Sequence, residues 1–175
     1  MKCKKTISLE EITNNDKWYI TPFDAQNLVK DEKLYSYEFC DIEVGKILRW
    51  KNKKFTTLKE TVNYRFLSNQ NSKNCIDEYI KSCKEPTNLE DNPNRSSETF
   101  ITLYNNILKE GYDPKKGVVI IDQYNSIVNG LHRACVMLFI HGEDFKIPVL
   151  KINIRSSKRM FFANLIYNFL QKSKR

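Results

Sequence analysis

The feature that most restricts this chain is the order of segments between residues 97 and 154. It reads helix, glycine, strand, turn, strand, Asn-Gly, helix, glycine, strand. Ser96-Ser97-Glu98 is a good helix start, because a serine hydroxyl caps free N–H groups and a carboxylate suits the positive end. Phe100, Leu103, Tyr104, Ile107 and Leu108 then recur at helical spacing, and Gly111 stops the helix. The apolar, β-branched run at 117–121 suits a buried strand. Asp122-Gln123-Tyr124-Asn125 is a turn, and Ser126-Ile127-Val128 is the returning strand. A second helix runs from near Leu131 to His141 and ends at Gly142. The closing strand, 145–154, contains Pro148, which predicts that its early part lies at an edge or carries a bulge.

The middle of this block concentrates the chemistry. In Asn129-Gly130-Leu131-His132-Arg133, a glycine at the strand-to-helix junction permits positive φ and a close backbone approach. The first N–H groups of a helix lack internal partners and lie at the positive end of its dipole, so the turn predicts an anion site at Gly130 to Ala134. Arg133 adds a guanidinium that matches phosphate oxygens, and His132 a further donor. The competing reading ties His132 and Arg133 to neighbouring carbonyls.

Ile127-Val128-Asn129-Gly130-Leu131-His132-Arg133-Ala134 resembles the ParB/sulfiredoxin-like family, in which a strand runs into Gly-x-His-Arg at a helix start. The helix-glycine-strand segment from Glu98 to Ile121 and the stretch His141-Gly142 through Ile147-Pro148-Val149-Leu150 are similar to the same family. The likeness covers about 55 to 60 residues, a third of the chain. It implies an α+β fold, a small mixed sheet with helices packed on it. It also implies a nucleotide-binding protein with phosphates at Gly130, Leu131, His132, Arg133 and Ala134. ATP or another nucleotide would be the cofactor, with Mg²⁺ if there is catalysis. The most direct activity is that of a small-molecule kinase or phosphotransferase. The alternative is a non-catalytic nucleotide or phosphosugar sensor that partners a biosynthetic enzyme. The longer pattern is similar to a subgroup linked to bacterial polysaccharide biosynthesis.

Two departures from the family narrow the activity. Sulfiredoxin has its cysteine nucleophile where this chain has Leu131, so sulfinic acid reduction is not expected. Cys135, one helical turn on, reads as a small core residue. Kinase relatives carry an acid before the glycine, where this chain has Asn129. Asn129 can hydrogen-bond a substrate hydroxyl but cannot take its proton. With Asn129 and His132 as candidate catalytic residues, a base would have to come from Glu98, Asp122 or Glu60. Arg65 falls where the family often places a basic residue facing the pocket; an ordinary surface arginine reads equally well.

The remaining chain is expected to form a single domain over 1–175. It comprises an N-terminal extension (1–50), a core (51–154) with a helical insertion near 66–95, and a C-terminal helix (156–175). Residues 34–42 alternate and fit a half-buried strand, while 44–50 fit a strand or a short helix. Residues 55–66, rich in Thr, Val and aromatics, read as another strand. Residues 74–84 read as a helix with Ile76, Tyr79 and Ile80 inward, and 85–95 as a proline-punctuated loop. The stripe Phe161, Phe162, Leu165, Ile166, Phe169 and Leu170 makes 156–175 an amphipathic helix with basic ends. It covers a sheet, or docks on a partner protein or membrane surface.

Hydrophobic residues are 41% of the chain and aromatics 12%, enough for a real core. The formal charge of +8 favours anionic partners, nucleotides and small phosphorylated substrates among them, although a solvated lysine-rich surface explains it as well. DNA binding ranks low, since the helix-turn-helix domain of partition proteins has no room after residue 154. No apolar run approaches the ~20 residues of a membrane span, and the basic N-terminus lacks the apolar stretch of a signal peptide. A cytoplasmic protein with reduced thiols is the expectation. Five cysteines without C-x-x-C spacing and two histidines predict no metal centre.

Overall fold

The computed structural model describes residues 9–13, 15–21, 25–26, 34–51, 54–69, 72–84 and 96–154. The expected helix at 156–175 and loop at 85–95 lie outside the described residues. The described elements run α1 (Leu9–Thr13), β1 (Leu34–Glu43), β2 (Leu48–Lys51), β3 (Lys54–Thr57), α2 (Val62–Ser68) and α3 (Lys73–Lys84). They continue with α4 (Ser97–Glu110), β4 (Val119–Asp122), β5 (Ile127–Asn129), α5 (Leu131–His141) and β6 (Lys146–Ile154). The class is α+β, with one small mixed sheet and helices packed against it. No helix among the described residues is long and apolar enough to cross a membrane.

The sheet has the order β1-β6-β4-β5, with β2 and β3 forming a separate two-stranded ribbon. β6 is interior, antiparallel to β1 and parallel to β4. The early part of the strand nevertheless has an edge on its β4 side, as Pro148 predicted. Pairing with β4 begins only at Val149, matched with Val119, while residues 146–148 pair with β1 alone. On the β4 side Pro148 faces no ladder partner, so its missing N–H leaves that ladder intact.

Alternate residues of the central strands feed two separate cores, because successive side chains point to opposite faces. Val119, Ile121, Ile147 and Val149 pack with Phe66, Tyr79, Phe100 and the buried side of α5. Ile120, Leu150 and Ile152 pack with Ile12, Trp18, Ile20 and Ala25 on the opposite face. The Trp18 ring meets Tyr37 edge-on at 5.9 Å and Phe39 at 5.2 Å, and its indole N–H donates to the Ile12 carbonyl at 3.1 Å. β1 is thus an outer strand of the main sheet, covered on one face by the N-terminal segment. Placing residues 1–50 outside the core missed this.

Residues 55–66 are corrected from one strand to a strand end, a turn and a helix. Thr57 and Glu60 form a reciprocal capping box around the 3₁₀ turn Leu58–Glu60, and the Thr61 hydroxyl accepts from the Tyr64 N–H at 3.2 Å to cap α2. Threonines that suggested β structure serve as helix caps, a role their hydroxyls fill well. Elsewhere α3, α4 and α5 fall where periodicity placed them. On α3, Tyr79 is buried and Ile80 exposed, and on α4 Leu108 is exposed.

Gly130 has φ of 84° and lies so close to β4 that a side-chain carbon there would come within 2.9 Å of the Val119 Cα. Both the left-handed angle and the contact exclude a larger residue. Gly130→Ala is expected to destabilise the fold by about 1–3 kcal/mol, read as a lower denaturation midpoint in urea with an unchanged slope. Equal stability of the variant would show that the turn is not held this way.

Candidate functional site

The Asn129–Arg133 turn sits where β5 ends beside the start of β4, because Asn129 pairs with Ile120. A cleft of about 50 Å³ opens there, bordered by Tyr19, Ile20, Thr21, Gly117, Val118, Ile120, Asn129 and Arg133. At roughly 10–15 Å³ per water, it holds a few waters or one tetrahedral anion. Part of the wall comes from the N-terminal segment, whose backbone is held at Tyr19. The Tyr19 N–H donates to the Pro114 carbonyl at 2.9 Å, and the Tyr19 carbonyl accepts from the Val118 N–H at 3.1 Å.

Arg133 supplies the charge of the cleft. Its guanidinium lies over Gly117, where a side-chain carbon would collide with it, and Nη2 donates to the Lys116 carbonyl at a long 3.3 Å. The side chain is half-buried, and among the described residues no carboxylate stands within ion-pair distance of it. A guanidinium carries five N–H donors, so most of its capacity remains for an anion in front of it. Tyr112 lies close by: its phenol oxygen accepts from the Val119 N–H at 2.8 Å, and burial pushes its pKa up to about 12 despite the nearby Arg133 charge. It serves the β4 backbone as a neutral hydroxyl.

The other residues of the turn have different surroundings. Asn129 borders the cleft, and its side-chain oxygen accepts from the Gly130 N–H at 2.6 Å. The Ala134 N–H donates to the Gly130 carbonyl at 3.0 Å, inside the helix. Two amides expected to face the anion therefore have protein partners. Leu131 packs against the helical core. His132 turns toward α3 and α4: its Nε2 lies 2.9 Å from the Tyr79 hydroxyl, and its ring meets Phe100 edge-on at 4.6 Å. The guanidinium and the imidazole thus leave the first turn of α5 in different directions, and only Arg133 borders the cleft. Adjacent helical positions point about 100° apart, so this divergence is built into their spacing.

The acids and Arg65 are placed elsewhere. Asp122 closes the β4–β5 hairpin, where one carboxylate oxygen accepts from the N–H groups of Tyr124 (2.8 Å) and Ser126 (2.9 Å). Burial raises its pKa, and the hydrogen bonds from Ser126 and Tyr124 oppose that shift. Glu98 is exposed in the first turn of α4. Glu60 is exposed and caps Thr57, whose backbone and hydroxyl hydrogen bonds hold its carboxyl below the usual range. Arg65 is exposed and pairs with Glu78 at 2.5 Å, joining α2 to α3. None of the four borders the cleft. His141 stacks on Phe145 at 4.2 Å at the end of α5. Among the described residues no group of three or more His, Cys, Asp or Glu side chains converges as a metal cluster. Among the described residues no carboxylate borders the cleft, so none of them offers Mg²⁺ an anionic oxygen there.

Tyr19, Thr21 and Gly117 were missed at the sequence level. The signal present was the pattern Trp18-Tyr19-Ile20, whose members are 5%, 49% and 4% exposed, an extended segment alternating in, out and in. It lay in the part of the chain with the weakest periodicity. The chain matches no protein-family model, no curated protein and no solved structure.

Two expected outcomes follow from these placements. Asp122→Asn keeps the accepting oxygen and removes the charge. The folded pKa of Asp122 is raised above its ordinary 3.8, so its ionised form opposes folding at neutral pH, and native stability on its account rises as pH falls toward 3.8. The variant should melt at an equal or higher temperature than the parent at pH 7, with the gap closing near pH 3.5. A large loss at pH 7 would show that the carboxylate itself is needed. Cys135 is fully buried, its Sγ lies 3.4 Å from the Thr61 hydroxyl, and burial pushes its pKa up to about 12. Iodoacetamide at pH 8 should leave this thiol unmodified until the protein is unfolded, as peptide mass mapping would show.

Proposed function

We propose that this chain is a nucleotide- or phosphosugar-binding protein of the ParB/sulfiredoxin-like type, with a phosphate group held by Arg133 in the cleft beside the Asn129–Gly130 turn. One observation carries the reading: a half-buried guanidinium, without a carboxylate partner among the described residues, borders a cavity of phosphate size. Burying part of a charge is costly unless something pairs with it, and a phosphate matches the guanidinium fork. Thr21 and Asn129 border the same cleft. The parallel β4–β6 pair, with the β5 return and α5 between them, supports the family resemblance.

Of the two activities the resemblance implies, binding without turnover has more support than phosphotransfer. Asp122 is committed to its hairpin, Glu98 is exposed and away from the cleft walls, and Asn129 carries no proton-accepting carboxylate. His132 is engaged by Tyr79. A sensor that partners a biosynthetic enzyme, such as one acting in polysaccharide assembly, fits this arrangement.

Calorimetry with the four ribonucleoside triphosphates and a panel of sugar phosphates tests the proposal. At least one should bind, and Arg133→Ala should weaken it by roughly 10- to 150-fold, the worth of a charged hydrogen bond at about 1.5–3 kcal/mol. Phosphate release and transfer should stay at background. Unchanged affinity in a folded Arg133→Ala protein would end the reading. Turnover that disappears in Glu98→Gln would restore phosphotransfer in its place.

A further inference from the structure

The cleft is far smaller than the roughly 300–1,000 Å³ that encloses a whole drug-sized ligand. At about 50 Å³ it accepts a phosphate group and little else. Whatever carries that phosphate must therefore lie on the rim. Tyr19 borders the same cleft as Arg133 and is 49% exposed.

Three observations set Tyr19 apart from an ordinary surface tyrosine. Its neighbours Trp18 and Ile20 are 5% and 4% exposed and anchor the segment in the second core. Its backbone is clamped between Pro114 and Val118, so the outward direction of the side chain is set by the sheet-like alternation. The clamp also ties it to the Arg133 seat, since Lys116, which accepts from the guanidinium, and Gly117, which lies under it, fall between Pro114 and Val118. An exposed tyrosine on a fixed backbone loses little conformational freedom when a flat group covers its ring.

We propose that Tyr19 is a specificity-determining residue: a platform on which the aromatic base of a nucleotide stacks while Arg133 holds a phosphate. This rests on the phosphate reading above and narrows the ligand from any phosphorylated metabolite to one bearing a flat aromatic group. Stacking needs the ring and not the hydroxyl, and it needs no hydrogen-bond code. The base contact is consequently tolerant of sequence or base identity, as base–aromatic stacking generally is.

The test compares each ribonucleoside triphosphate with tripolyphosphate and ribose 5-phosphate by calorimetry on the full chain, in the parent, Tyr19→Ala, Tyr19→Phe and Arg133→Ala proteins. A nucleotide should bind the parent at least about 10-fold more tightly than tripolyphosphate. Tyr19→Ala should lose that margin while binding tripolyphosphate as the parent does. Tyr19→Phe should keep the margin, and Arg133→Ala should weaken every ligand. Retained tripolyphosphate binding also shows that the Tyr19→Ala cleft is folded. Nucleotide and tripolyphosphate binding equally well, or a margin that survives in Tyr19→Ala, would overturn the base platform and leave the phosphate reading standing. Ligand binding that ignores Arg133, or no binding at all, would overturn both.

Discussion

The contact between Gly130 and the backbone of Val119 is the constraint on which the site depends. It brings the end of β5 against the start of β4 closely enough that α5 begins directly over the strand. The guanidinium three residues later then reaches back over Gly117, just before β4. Gly117 has φ of 143° and no side chain, so it offers both the turn and the seat. Two glycines flanking the β4–β5 hairpin decide where Arg133, the only charged residue bordering the cleft among the described residues, can stand.

On the other side of α5, His132 belongs to an aromatic assembly. Phe66, Tyr79 and Phe100 stack with centroids 4.5–5.7 Å apart, and His132 closes the group edge-on. Because these rings come from α2, α3 and α4, the cluster binds three helices to the first turn of α5. The neighbouring pair His132-Arg133 therefore divides its labour: one ring secures the helix start, and the next side chain faces the cleft. In the sequence both looked like ligands to one anion.

How much was legible can be judged from particular residues. Ser96, Gly111 and Gly142 marked helix ends correctly, because caps act on adjacent backbone groups and leave local signatures. The β4, β5 and α5 segments were readable for the same reason, and with them the position of Arg133. The threonines at 57 and 61 misled, since the same residue type favours a strand interior and a helix cap. Pro148 marked the part of β6 that pairs with β1 alone, since a residue without an N–H is tolerated where no second ladder needs it.

The sequence alone determined the helix-strand order of residues 96–154, the glycine-bearing turn and the pairing of a basic side chain with it. These depend on periodicity, φ angles and hydrogen bonds within a few residues. Tertiary structure decided which face of α5 each side chain serves, that β1 joins β6, and that residues 19–21 border the cleft. Those outcomes depend on contacts between segments about a hundred residues apart. Local pattern carries no record of such pairings, because the energy that selects them comes from surfaces that exist only after the chain has closed on itself.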